Sequence, residues 1–266
     1  MKIIVLIKQV PETSNVKMDQ ATGTMIREGV ESIINPLDLY AIEIGIQLKE
    51  KHGGTLTAVT MGPPKSEKAL REAVAMGCDD GIMLSDKAFA GSDTWATSYV
   101  LAEAIKQKIP CYDLILCGER ATDGDTGQVG PGVATFLDLP VATYVSKIYD
   151  IQQKQAKVDR LVEGGYEVLT VPFPALLTVV KEISFPRLPT LRGKRKARTM
   201  QVPSLGTAEI ALDKTKLGLK GSPTRVVKIF TPKVTRECRK YVIKDDKDIE
   251  KAADALIEYL AEKQVI

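Results

Sequence analysis

Histidine is almost missing from this 266-residue sequence, which holds only His52. That scarcity disfavours a histidine-dependent catalytic triad and a histidine-rich metal site. Cysteine is sparse too. Cys78, Cys111, Cys117 and Cys238 form no C-x-x-C pair, so no metal site is expected, and the thiols read as reduced and mostly buried. Neither G-x-G-x-x-G nor a Walker A motif is present. Charge of one dominant sign is lacking as well. The formal net charge is +3, too small for a global field that would draw the chain to nucleic acid or to a membrane. Long apolar runs are missing. The opening run over residues 3–7 is too short for a signal peptide or a membrane span. A cytoplasmic protein without membrane insertion is the expectation.

What is present is an alternation of strand-like and helix-like segments. Residues 3–7, 55–61, 81–84 and 113–117 read as strands. Residues 36–51, a stretch beginning at Pro63-Pro64, and residues 93–108 read as helices. Pro36 suits the first position of a helix, and His52 followed by Gly53-Gly54 suits its end. Such alternation predicts an α/β fold with a doubly wound, mostly parallel sheet. After Pro140 the pattern changes. Residues 141–180 are β-rich and broken by Gly164-Gly165, Pro172 and Pro174, which predicts antiparallel, hairpin-like additions. A basic run, Arg192 to Arg198, follows, then a turn-rich stretch over residues 206–233 and an amphipathic helix over 246–264. The expected division is a nucleotide-binding domain over residues 1–189, with a docking loop and C-terminal arm over 190–266.

The segment after the fourth strand carries the chemistry. It reads Gly118, Glu119, Arg120, Ala121, Thr122, Asp123, Gly124, Asp125, Thr126, Gly127, Gln128, Val129, Gly130 and Pro131, and it leads into an apolar stretch, 133–137, expected to be helical. In open α/β sheets, ligands sit beyond the carboxyl ends of the strands. Glycines let backbone N–H groups approach a phosphate, and a helix N-terminus adds positive potential. Thr126 offers a hydroxyl donor. Asp123 and Asp125 suit ribose hydroxyls or helix capping. On physical grounds alone, an unliganded glycine-rich connection fits the same residues. No side-chain nucleophile or general acid stands out, so no catalytic residue is expected.

The loop from Gly118 to Pro131 resembles the adenine-nucleotide loop of electron-transfer flavoprotein beta subunits. A second match is sharper: Arg160-Leu161-Val162-Glu163-Gly164-Gly165-Tyr166-Glu167, then Pro174-Ala175-Leu176-Leu177-Thr178. The opening over residues 5–11 and Asn35-Pro36-Leu37-Asp38 fit as well. The resemblance covers essentially the whole chain. It implies an adenine-nucleotide-binding, Rossmann-like sheet and an alpha-subunit partner wrapped by the C-terminal arm. By position, it implies an adenine pocket from Leu6, Asn35, Pro36, Asp38 and Met61, with phosphate contacts from Gly118 to Gln128. Core packing is the plain alternative for Leu6 and Met61. Leu37 stands where some members carry an aromatic residue facing the flavin held mainly by the alpha subunit, and leucine leaves an apolar contact there. Leu191, on the Pro-flanked stretch 185–191, matches a leucine that docks the partner dehydrogenase.

The compact loop over 123–131 and the stretch 221–226 resemble the branch that carries FAD in this subunit and splits electron pairs from NADH. That branch implies delivery to a flavin dehydrogenase of the acyl-CoA or hydroxy-acid type and to ferredoxin or flavodoxin. The chain would be an electron-transfer subunit of an NADH-dependent redox complex. The alternative within the family is a simple carrier with AMP in this subunit. The alternative from another class is an adenine-nucleotide-sensing module without a redox role. The basic run over 192–198 reads as solvated charge or as contact with an acidic partner. It lacks the aromatic residues that nucleic-acid binding favours.

Overall fold

The computed structural model describes residues 1–12, 17–18, 25–26, 31–152, 154–227, 238 and 240–265. The chain forms two compact units by its internal contacts, Met1–Val227 and Lys228–Ile266. The docking segment expected to begin at 190 therefore packs with the first unit. The turn-rich stretch over 206–233 runs past Val227, and its last residues lie outside those described.

In chain order the first unit contains β1 (Lys2–Leu6), β2 (Gln9–Pro11), β3 (Lys17–Met18), β4 (Met25–Ile26), β5 (Ser32–Ile34), α1 (Pro36–His52), β6 (Thr55–Met61), α2 (Glu67–Met76), β7 (Asp80–Leu84), α3 (Thr94–Lys108), β8 (Leu114–Gly118) and α4 (Val129–Phe136). It continues with β9 (Val141–Gln152), β10 (Gln155–Val162), β11 (Gly165–Pro172), β12 (Ala175–Val179), α5 (Leu191–Thr199), β13 (Ser204–Leu205) and α6 (Gly218–Gly221). The second unit contains α7 (Asp246–Glu262).

Nine strands form one sheet in the order β11-β10-β9-β12-β8-β1-β6-β7-β13. Every pair from β9 to β13 is parallel, while β9–β10 and β10–β11 are antiparallel. Two short ribbons stand beside it, β2 with β5 and β3 with β4.

The central strands are apolar on both faces because both faces are covered. Along β1, Ile3 and Val5 join one core cluster with Ile42, Ile46, Leu70 and Val74 of α1 and α2. Ile4 and Leu6 join a second with Val100, Ile105 and Val133 of α3 and α4. The alternation follows from the two-residue period of a strand. α1 begins at Pro36, whose ring presets φ for a first helical residue. It ends at Gly53, which takes φ +70°.

Several expectations are adjusted. Residues 141–172 do form antiparallel strands, but β12 lies parallel between β8 and β9. Its apolar run is that of a strand buried on both faces, and nothing local to it names its neighbours. The basic run is a helix, α5, capped by Thr190, whose hydroxyl oxygen accepts from Gly193 N at 2.9 Å. Ala197 is its buried residue, and the Arg71 guanidinium of α2 donates to the Ala197 carbonyl. α4 begins at Val129, four residues before the apolar stretch that marked it. Cys78 and Cys117 are buried, whereas Cys111 and Cys238 are exposed. Among the described residues, no helix is long and apolar enough to cross a membrane.

Candidate functional site

The strand order reverses its direction of growth between β1 and β8. From β1 the chain adds β6 and β7 on one side, then crosses to add β8 and β12 on the other. In open α/β sheets this switch point opens a crevice at the carboxyl ends of the strands. Here the crevice is bounded by Leu6 at the end of β1 and Gly118 at the end of β8, with Met61 ending β6 nearby. Leu6 is 5% exposed and belongs to the core, and Met61 packs half-buried against the same cluster.

The loop after β8 is fixed by two buried side chains from the start of α1. Asn35 is 1% exposed. Its amide Nδ2 donates to the Arg120 carbonyl at 2.9 Å, and its Oδ1 accepts from Thr122 N at 3.1 Å. Asp38 accepts from Lys8 N at 2.7 Å and from Gly118 N at 3.2 Å. One helix start thus holds the ends of β1 and β8 together. Gly118 must lack a side chain for this, since a Cβ there would sit 2.6 Å from Asp38 Oδ1 and 2.8 Å from the Leu37 carbonyl carbon. Pro36 is exposed and Leu37 half-buried at the same helix start.

Burial pushes the Asp38 carboxyl up to about 7, opposed by the Lys8 and Gly118 N–H groups and the Asn35 side chain. Burial also pushes up the Cys117 thiol, with the Asp38 charge adding to it. A buried thiol of that kind is not a nucleophile.

The rest of the loop faces outward. Residues 122–126 are exposed, Ala121 and Gly127 half-buried. The Ala121 carbonyl accepts from Asp125 N at 2.8 Å, closing a tight turn in which Asp125 takes φ +55°. Gly127 takes φ +61°, a conformation that glycine alone adopts freely. Charges pair across the loop. Lys8 Nζ binds both oxygens of Asp123 at 2.7 and 2.8 Å, and Arg120 Nε lies 2.9 Å from Asp125 Oδ1 and 3.6 Å from Glu119 Oε1. Burial raises the Glu119 carboxyl, with the Arg120 charge opposing. The Thr94 hydroxyl, at the start of α3, donates to Gln128 Oε1 at 2.8 Å. Val129 opens α4 and is half-buried. Three residues at this site were not singled out by the sequence: Lys8, Thr94 and Tyr144, whose hydroxyl lies 3.5 Å from where a Cβ on Gly127 would stand. Lys8 could have been reached from its place just beyond the first strand. Nothing local marks the other two.

Leu191 lies apart from this loop in the chain, as the first residue of α5, and is 88% exposed. Phe185 and Leu188 are likewise exposed. The segment that presents them is clamped by Arg187. Its guanidinium bonds Glu43 at 2.9 and 3.0 Å and Glu50 at 2.6 and 3.0 Å, and its backbone N–H donates to Glu43 at 3.1 Å. Burial raises the Glu43 carboxyl, but hydrogen bonds from Arg187 and Gln47 outweigh it and hold the group below its usual range.

Comparison with known proteins gives a consistent picture. The model of the electron transfer flavoprotein domain matches residues 22–209. The chain is 46% identical over 267 residues to a protein of Thermoanaerobacterium thermosaccharolyticum named electron transfer flavoprotein subunit beta, spanning all of both chains. It is 43% identical over 273 residues to the protein of that name from Megasphaera elsdenii, again spanning both chains. It is 48% identical over 233 residues to the caffeyl-CoA reductase–Etf complex subunit CarD of Acetobacterium woodii, covering 87% of this chain and 88% of that one.

Proposed function

Because the chain belongs to the electron transfer flavoprotein family, among its beta subunits, we propose that it binds FAD at the switch-point loop. On this reading it serves a complex that takes electrons from NADH and divides them. One acceptor is a flavin dehydrogenase, of the acyl-CoA or hydroxy-acid type, and the other is ferredoxin or flavodoxin. Membership implies an alpha-subunit partner, and the complex works in the cytoplasm.

The single observation that carries this reading is the loop from Glu119 to Gln128, held at the sheet's switch point by Asn35 and Asp38. The residues present fit a dinucleotide. Asn35 and Asp38 occupy backbone groups of Lys8, Gly118, Arg120 and Thr122, so the outer turn from Asp123 to Gly127 is left facing outward. Its acids suit ribose hydroxyls. Its backbone and the α4 N-terminus suit phosphate. When bound, FAD supplies the hydride and single-electron chemistry. The chain's own residues position the ligand and set local charge. Lys8 pairs with Asp123, and Arg120 is shared by Asp125 and Glu119, so the pairing offsets most of the loop's negative charge.

The compact loop over 123–131 supports the dividing branch. The similarity to a subunit of a caffeyl-CoA reductase complex supports an acyl-CoA-type partner. Leu191, exposed at the start of the basic helix α5, supports docking of that partner through an apolar contact beside cations. The test is the cofactor content of the purified heterodimer. Two FAD and no AMP are expected, with NADH-driven ferredoxin reduction only when dehydrogenase and substrate are both present. One FAD and one AMP would make the protein a simple carrier.

A further inference from the structure

Tyr144 is a bulky residue in an unfavourable backbone conformation, φ +57°, within β9. For an L residue with a large side chain this is an outlier, and such outliers cluster where a side chain is aimed for a purpose. The local register shows how it arises. Ala142 stands opposite Leu177 of β12, and Val145 opposite Val179. Thr143 and Tyr144 therefore share one partner, Thr178, which makes a bulge. Tyr144 N donates to the Thr178 hydroxyl at 3.0 Å. The bulge lets Ala142 and Val145 both reach the core, at 1% and 0% exposure, and turns Tyr144 outward.

Packing of Val145 explains the bulge but not the tyrosine. Glycine would hold φ +57° without strain, and asparagine with little. The position of the phenol supplies the missing reason. Val179 stands level with Val145 and with Gly118, so Tyr144 lies at the carboxyl edge of the sheet, flanking the loop. Its hydroxyl is 3.5 Å from where a Cβ on Gly127 would stand, beside the Glu119 carbonyl at 3.4 Å. The loop is thus bordered by Lys8 on the β1 side and by the exposed Tyr144 on the β9 side. The loop carries three acids, Glu119, Asp123 and Asp125, against Lys8 and Arg120, and a phenol adds a hydrogen-bond donor there without adding to the negative charge.

We propose that Tyr144 is a further ligand-binding residue, whose hydroxyl, presented beside Gly127, donates to the phosphate of an adenosine 5′-phosphate group in the loop. The inference rests on the nucleotide-binding reading above, and applies equally to AMP and to the AMP half of FAD. The test uses the nucleotide-stripped heterodimer, titrated with AMP and with adenosine. Tyr144→Phe should weaken AMP about tenfold or more, as loss of a hydrogen bond to a charged group does, and leave adenosine unchanged. Tyr144→Gly should weaken AMP similarly while its Tm stays level or rises, since glycine accepts the backbone conformation. Equal loss for both probes would make Tyr144 a shaper of the loop only, and unchanged AMP affinity would remove it from the site; either overturns the inference. A wild-type complex that binds neither probe overturns the nucleotide reading itself, and this inference with it.

Discussion

Two helices of this chain have the same length and opposite fates. α1 and α7 each span 17 residues. α1 has eight buried residues, including Asp38 and Glu43, and meets the sheet on one side and the Arg187 segment on the other. α7 has none, although Ile249, Leu256 and Leu260 recur along one side of it. α7 is nonetheless well formed at its start, where the Asp245 carboxylate accepts from Asp248 N at 3.0 Å. A helix packed within its own chain can be apolar nearly all round. One with an apolar stripe and no buried residue of its own presents a face suited to a surface supplied by something else. We propose that the alpha subunit supplies it.

The contrast is broken most directly in α1. Ile42→Ala, at a position with no exposure, should cost about 2–5 kcal/mol of stability through the cavity it leaves, read by denaturant unfolding of the chain. A loss below about 1 kcal/mol would mean that Ile42 is not packed in the core between α1 and the sheet. Next comes Gly127→Val, which forces a β-branched residue to φ +61°. Each phosphate hydrogen bond lost should weaken nucleotide binding by about 1.5–3 kcal/mol, measured as nucleotide retained after desalting. Full retention would place the phosphate elsewhere.

Leu191→Ala tests the docking segment. An apolar hot spot truncated to alanine typically costs about 2 kcal/mol, or roughly thirtyfold in affinity. Transfer to the dehydrogenase at low partner concentration should fall accordingly, with flavin content and dye reduction by NADH unchanged. Loss of flavin together with transfer would put Leu191 in the subunit frame.

Asp38 sharpens the comparison through pH. Its folded value of about 7 stands above the ordinary 3.8. Between those values the native chain holds a proton that the unfolded chain has released. This contribution is therefore full below about pH 4 and is lost as pH rises through 7, with a slope of at most about 1.4 kcal/mol per pH unit. Asp38→Asn should remove that slope, so its destabilisation relative to wild type should be largest near pH 4 and smallest above pH 7. The opposite trend would show Asp38 ionised throughout. The smallest effect is expected in α7. Leu256→Ala should change the stability of the chain alone by less than about 0.5 kcal/mol, while weakening the heterodimer in gel filtration at low concentration.

The sequence was most legible where local chemistry and burial agree. β6 lies where its apolar run placed it, over Thr55–Met61, and α1 starts at Pro36 because proline suits a first helical position. α5 was hidden because Leu191-Arg192-Gly193-Lys194-Arg195-Lys196 shows no apolar period; its formation depends on the Thr190 cap and on contact with α2. The parallel seat of β12 was hidden because register is a property of pairs. At the site, Asn35 and Asp38 were found by motif, yet their buried bonds to the loop backbone are tertiary. Thr94 and Tyr144 come from segments 34 and 17 residues from Gln128 and Gly127 respectively, and only the fold joins them.

The Arg187 clamp has a consequence for geometry. It ties the Leu191 segment to Glu43 and Glu50, on the same helix whose first turn holds the loop through Asn35 and Asp38. α1 is therefore a gauge block. At about 1.5 Å per residue, the twelve steps from Asp38 to Glu50 set roughly 18 Å of fixed travel, and each residue carries the next about 100° around the axis. A single residue inserted between Asp38 and Glu43 would lengthen that travel by very little. It would swing both glutamates away from Arg187 by more than a quarter turn, and the core residues Ile44, Ile46 and Leu48 with them, so that the loop and the Leu191 segment would lose their common frame.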